Sequence, residues 1–244
     1  MNRPVVSMFD ESGLMVRPWA ERGFECLCFD ILNDGRVEHF ASGGSIGFVK
    51  ADLMPSPWQA EGATNYAIEA IIAMNPLIVF GFGPCTELAT CGAKHFAKKR
   101  AIDPEFQSRA LSLWRTTETV GNVVGCPWFA ENPRSVISTM YRPPNFKFDP
   151  SDFGGYLSED DRHPTYPDII PPRDAYTKET WIWYGNGFVV PPKRPVPDCG
   201  YYPGWSNLGG KSERTKRIRS TTPRGWAQAV FFANWTLKQF AKAA

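Results

Sequence analysis

The sequence predicts an α/β protein, a doubly wound and mostly parallel sheet followed by a proline-rich, loop-rich C-terminal extension. Two observations carry that expectation. Within residues 1–132 short apolar runs alternate with helical stretches, as in strands joined by crossover helices. Beyond residue 132 the composition shifts, with thirteen of the 22 prolines lying between Pro133 and Pro203. Proline lacks an N–H and clashes with the preceding turn, so long helices are excluded there. The aromatics in the same stretch argue for ordered loop packed on a core. The chain therefore reads as a core over 1–132, and over 133–244 as an insert, a short variable segment and closing elements on the same core.

Each element follows from its local pattern. Residues 5–9 form a buried strand, and 13–23 a helix with Val16, Trp19 and Ala20 on one face, stopped by Gly23. Residues 24–29 form a second strand closed by Asp30, and 46–51 a third followed by Asp52. Residues 65–74 are helical, 77–82 are a fully apolar fourth strand, and 104–124 are a long helix with Phe106, Ala110, Leu113 and Trp114 at helical spacing. Residues 127–130 make a short strand ending at Glu131. In the second part, 180–184 and 187–190 read as a hairpin around Gly185-Asn186-Gly187, and 223–240 as a final helix with Pro223 near its start. No internal repeat is visible.

Composition narrows the function classes. At 244 residues the chain buries roughly three quarters of its unfolded surface. Nine Trp, eight Tyr and seventeen Phe exclude disorder as a description of the whole. No stretch of about 18 clean apolar residues exists, so no membrane span is expected. The first residues carry acids where a signal peptide needs an apolar run, which points to the cytoplasm, and six cysteines then read as reduced thiols. The thiols lack paired spacing and the three histidines are scattered, so no metal site is expected. A net charge of +2 gives no whole-protein case for nucleic acid. Any basic surface must be local, and residues 211–224 supply one, with six Lys/Arg against one Glu.

The candidate chemistry sits at strand ends, where open α/β sheets bind ligands. Phe9-Asp10-Glu11-Ser12-Gly13 is a small turn leading to a helix N-terminus. Asp30 closes the second strand at the place from which a carboxylate accepts ribose hydroxyls, with Ile31 beside it. Asp52 and Leu53 form a similar pair after the third strand. Gly83-Pro84-Cys85-Thr86 follows the fourth strand and holds a thiol rigidly toward the crevice, as a nucleophile requires. Cys26, Cys28 and Cys126 lie in or beside apolar runs and read as structural. Glu131-Asn132-Pro133 ends another strand on an acid. Together Cys85 and Glu131 suit attack on an electron-poor heteroaromatic ring with protonation of a ring nitrogen.

In this order the motifs resemble the DNA cytosine-5 methyltransferases. Phe9 to Gly13 is similar to the family's F-x-G-x-G loop, with Glu11 in place of a glycine. PCTELATCG matches P-C-Q-x-x-S-x-x-G at Pro84, Cys85 and Gly92, with Thr86 for Gln and Ala89 for Ser. ENP resembles E-N-V, Lys178-Glu179-Thr180 is a faint match to Q-x-R-x-R, and RSTTPR resembles R-x-L-T-P-R-E. The resemblance implies a Rossmann-like methyltransferase core, compact and of phage type, binding S-adenosyl-L-methionine through Phe9, Asp10, Glu11, Ser12, Gly13, Asp30, Ile31, Asp52, Leu53, Gly83 and Pro84. It implies Cys85, Glu131 and Lys178 as catalytic groups acting on a cytosine flipped out of DNA. Arg214, Lys216, Arg217, Arg219 and Arg224 are the implied phosphate contacts. Only residues 191–220 are available for target recognition, and the acidic stretch FDPSDFGGYLSEDD is unlike a phosphate-binding surface. Two alternatives stay open: the same Cys/Glu chemistry on a pyrimidine nucleotide or with a group other than methyl, and a non-catalytic DNA- or protein-binding module.

Overall fold

The computed structural model describes residues 3–55, 58, 65–202, 208 and 212–235. Eight strands form one sheet: β1 (Val5–Met8), β2 (Glu25–Asp30), β3 (Val37–His39), β4 (Ser45–Lys50), β5 (Ile78–Gly81), β6 (Trp128–Pro133), β7 (Phe146–Phe148) and β8 (Thr180–Gly185). Their order is β3-β4-β2-β1-β5-β6-β8-β7. The run β4-β2-β1-β5-β6 is parallel throughout, as the alternating pattern predicts. β3 and β8 run against their neighbours. The chain winds outward from β1 through β2 to β4, then returns to the other side of β1 for β5 and β6. The switch point therefore lies between β1 and β5.

Side chains alternate across the sheet with the strand period of two. Val5, Cys26, Cys28, Ile46, Phe48, Ile78, Phe80, Phe129 and Ile182 face one core with Trp19 of α1 (Arg17–Ala20) and Trp226 of the C-terminal helix. Val6, Met8, Phe29, Val79, Trp128, Ala130, Trp181 and Trp183 face the other, under α2 (Tyr66–Ala73) and α4 (Phe106–Val124). Asn65 caps α2 by accepting from Ile68 N at 3.0 Å, and Gly125 ends α4 at φ 71°. Between β5 and α4 lie a 3-10 turn, Thr90–His95, and α3 (Phe96–Ile102), neither of which the sequence pattern signalled. α5 (Ile137–Met140), α6 (Glu213–Ser220) and α7 (Arg224–Asn234) complete the helices described.

Several expectations are corrected. The helix expected over 13–23 shrinks to α1, because Gly13 is left-handed at φ 67° and Pro18 occupies the first turn. The hairpin over 180–190 does not form. β8 is hydrogen-bonded to β6 on one side and β7 on the other, so no free edge remains for residues 187–190. That segment packs Phe188 on Phe129, at 5.3 Å between ring centroids, and is tied through Val189 to the Asn234 side chain. Much of the basic stretch is a helix, capped by Ser212 Oγ accepting from Thr215 N. Lys211, and residues 236–240 of the expected final helix, lie outside the described residues.

The acidic insert is structural in part. Asp152 accepts from Asp149 N at 3.0 Å and pairs with Lys193 at 2.8 Å, in a 3-10 segment, Pro150–Tyr156, that packs on α7. Close approach of β5 to α4 sets a sharper constraint. A Cβ at Gly81 would overlap the Thr117 hydroxyl, with Thr117 itself fully buried. Gly81→Ala is expected to lower stability by about 1–3 kcal/mol, the usual cost of overpacking, and denaturant unfolding measures it.

Candidate active site at the carboxyl edge of the sheet

Three groups expected to be catalytic arrive from three strand ends. β5 hands the chain to Gly83, where a Cβ would lie 3.0 Å from Trp114 Cα, so only glycine lets the backbone pass this close to α4. Cys85 follows on a tight turn whose carbonyl accepts from Leu88 N at 3.0 Å and Ala89 N at 2.8 Å. The same loop is stitched to the segment after β6: Thr90 N donates to Arg134 O at 2.9 Å, Val136 N to Leu88 O at 2.9 Å, and Ala89 bridges Ser135. These bonds fix the Cys85 loop relative to Glu131, which lies within β6 opposite Ile182 and does not close the strand as expected.

Lys178 reaches the same place because β8 is antiparallel to β6. Thr180 is registered with Pro133, so the start of β8 lies beside the carboxyl end of β6. Lys178 Nζ donates to Arg219 O at 2.7 Å and lies 5.5 Å from the Tyr202 ring centroid. The sulfur, the carboxyl and the amine are close enough to move one another's ionisation. Cys85 touches solvent, yet the protein crowding it and the facing Glu131 push its thiol up to about 11, against a smaller pull from Lys178. Burial pushes Glu131 up to about 7, opposed by Lys178. Burial pushes Lys178 down, opposed by Glu131 and Cys85. A carboxyl raised this far can give or take a proton near neutral pH.

Trp114 is the residue that the sequence did not single out for the site. It is fully buried, packs edge-on against Trp183 at 4.9 Å, and donates its indole N–H to Glu131 O at 3.0 Å. It therefore touches both the approach to Cys85 and the backbone of Glu131. Helical spacing placed Trp114 on the buried face of α4, but no local signal names the acceptor across the sheet.

The turn after β1 is shaped by Asp10. Its Oδ1 accepts from Ser12 N, Ser12 Oγ and Gly13 N at 2.8–2.9 Å, and its Oδ2 from Ser7 Oγ at 2.8 Å. Asp10 thus builds the loop and is not a free ligand group. Phe9 holds a left-handed φ of 60°. Asp30, at the end of the neighbouring strand, accepts from Leu32 N at 2.8 Å; burial raises its carboxyl, that N–H lowers it, and Glu11 and Asp10 raise it further. Ile31 and Leu32 are 58% and 61% exposed, an apolar ledge beyond β2. Asp52 is exposed, whereas Leu53 is buried in the core. A cavity of about 430 Å³ opens between Met54, Pro84, α3 and α4, lined by Glu87, Lys99, Arg109 and Leu113 among others, and not by Asp30 or the β1 turn. That volume lies in the range of small-molecule sites.

The five implied phosphate contacts diverge. Arg214 and Lys216 are exposed on α6, the latter paired with Glu213 at 2.6 Å. Arg217 pairs with Glu11 at 2.5 Å, joining α6 to the β1 turn. Arg219 donates to Leu208 O at 3.1 Å. Arg224 is corrected to an internal role: its fork holds both oxygens of Asp161, at 2.7 and 2.6 Å, so it is not available to a phosphate. Among the described residues no cluster of three His, Cys, Asp or Glu could hold a metal, and no helix is long and apolar enough to cross a membrane. No protein-family model matches the chain, and no curated protein matches it.

Proposed function

We propose that this chain transfers a methyl group from S-adenosyl-L-methionine to C5 of cytosine in DNA. The observation that carries the reading is the meeting of Cys85, Glu131 and Lys178 at one carboxyl edge, beside the topological switch point of the sheet. The residues present fit the cofactor in chemistry: Asp30 for ribose hydroxyls, the Ile31–Leu32 ledge and the Met54–Pro84 cavity for a flat ring. Bound there, S-adenosylmethionine would supply an electrophilic methyl group on a sulfonium.

The chain's own residues supply the rest. The Cys85 sulfur adds to C6 of the ring while the protonated Glu131 gives its proton to N3, and the displaced electron pair reaches C5. After C5 has accepted the methyl group, its proton passes to solvent. The C5–H pair then re-forms the double bond, the Cys85 thiolate leaves, and the N3 proton returns to Glu131. Lys178 faces both groups, and its pull opposes the upward push on each. Arg214, Lys216, Arg217 and Arg219 lie along α6, next to the site, where a polyanion would approach.

Purified protein given labelled S-adenosylmethionine and cytosine-rich DNA is expected to place label in 5-methylcytosine. Absence of label from both duplex and single strands would sink the reading. The pH dependence adds a second check. Below about 7 both Cys85 and Glu131 hold protons, and each pH unit yields tenfold more thiolate. Above about 7 the loss of protonated Glu131 cancels that gain, so kcat/KM levels off. In Glu131→Gln the amide donates at every pH, and the rate, though lower, is expected to keep rising past pH 7.

A second reading keeps the Cys/Glu chemistry but acts on a pyrimidine nucleotide or transfers another group. It is favoured by the engagement of two implied phosphate contacts, Arg217 with Glu11 and Arg224 with Asp161. Mass spectrometry of the nucleotide and DNA products separates the two.

A further inference from the structure

The loop that carries Cys85 carries a second thiol six residues on. Cys85 and Cys91 are both exposed, whereas Cys26, Cys28 and Cys126 are buried and Cys199 is exposed on a distant part of the chain. The loop folds back on itself between the two. Ala89 N donates to Cys85 O at 2.8 Å, Gly92 N donates to Ala89 O at 3.0 Å, and a Cβ built on Gly92 would lie 3.5 Å from Thr86 O. The residue after Cys91 thus lies against the residue after Cys85. The middle of the loop is tied to residues 134–136, and the two thiols flank the tied segment. Their proximity is also electrostatic, since Cys91 adds to the upward push on the Cys85 thiol.

We propose that Cys85 and Cys91 are a modification site, a thiol pair that a peroxide converts to an intraloop disulfide, masking the Cys85 sulfur until a thiol reductant restores it. The chemistry balances without a metal or cofactor. One thiolate attacks a peroxide oxygen, giving a sulfenic acid and water; the other thiol attacks that sulfur, forming the S–S bond and releasing a second water. Two thiols are oxidised and one hydrogen peroxide is reduced. Closing the bond requires the Cα atoms to stand within about 7 Å of each other. A ring this short adds little to fold stability, and an exposed disulfide of this kind is readily reduced. Cys26 and Cys28 also share one strand and one face, but their burial shields them from the oxidant.

The proposal rests on exposure and loop geometry, not on the methyl-transfer reading, and its test reads mass rather than activity. Native protein is treated with hydrogen peroxide, alkylated and cut with trypsin. The fragment 51–94, bounded by Lys50 and Lys94, contains only these two cysteines. It is expected to lose two hydrogens and to resist alkylation, and to regain both alkyl groups after dithiothreitol. In Cys91→Ser the fragment should show no such loss, with Cys85 alkylated or carrying oxygen instead. Cys199, which has no neighbouring thiol on its own loop, serves as the internal control. Two alkyl groups on the peroxide-treated fragment while Cys199 is oxidised would overturn the proposal, as would a disulfide between two chains.

Discussion

Cys85→Ala is expected to reduce methyl transfer to cytosine by about 10³-fold or more, the scale on which removal of a nucleophile is felt when the remaining site still binds. The alanine fits the same turn, since the loop is held by backbone bonds from Leu88, Ala89 and Thr90 and not by the thiol. Circular dichroism and the unfolding midpoint should therefore match the parent protein. A DNA strand containing 5-fluorocytosine is the sharper probe, because fluorine at C5 cannot leave as a proton does. The parent protein is expected to stay bound to that strand through a denaturing gel in the presence of S-adenosylmethionine, and the alanine variant is not. If the parent forms no such adduct yet still methylates, the sulfur is not the nucleophile. If it binds DNA with neither adduct nor methylation, the site is a binding surface alone.

The second large effect concerns stability and lies away from the site. Arg224 donates to both oxygens of Asp161 and stands 3.7 Å from Asp174, with Arg224 14% and Asp174 1% exposed at the side chain. Asp174 in turn accepts from Gly225 N at 2.9 Å. Arg173 and Asp174 both hold left-handed backbones, at φ 58° and 48°, a strain that these bonds keep in place. Arg224→Ala removes the cation and leaves two enclosed carboxylates with backbone N–H partners alone, so a loss of about 3–5 kcal/mol is expected. For a chain of this size the melting temperature should fall by about 6–20 °C. An unchanged melting temperature would mean that the carboxylates find other partners.

The pH dependence has opposite signs at the two acids. Burial pushes Asp161 up, but the Arg224 fork and the Arg173 N–H more than offset it and hold the carboxyl below its usual range. Its contribution is present at neutral pH and is lost as pH falls through that lowered value. Burial raises Asp174 to about 6, against Gly225 N–H and Arg224. Its contribution is full below its unfolded value and is lost as pH rises through about 6. Asp174→Asn should accordingly flatten the stability profile between about pH 4 and 6.

Much of the frame was legible because it depends on local pattern. Apolar runs of strand length with helical stretches between them forecast β1, β2, β4, β5 and β6 and their parallel pairing. β3 and β7 went unseen because three-residue strands carry too little alternation to separate from loop. The expected hairpin failed for a tertiary reason, since β8 lends both of its edges to strands far away in the chain. Arg224 looked like surface charge because its partner lies 63 positions upstream.

Sequence by itself placed Cys85 just beyond one apolar run and Glu131 at the close of another, and thereby put both toward one edge, although β6 continues past Glu131 to Pro133. The rise of a strand and the direction of a crossover are local properties, so strand ends inherit their side from the pattern. Only the tertiary structure decided that an antiparallel β8 would bring Lys178 to the same edge. It alone decided that Trp114 would reach from α4 to the Glu131 backbone, and that the burial shared by these groups would raise an acid and lower an amine. Those outcomes depend on long-range pairing and on exclusion of water, and no short window of sequence contains either.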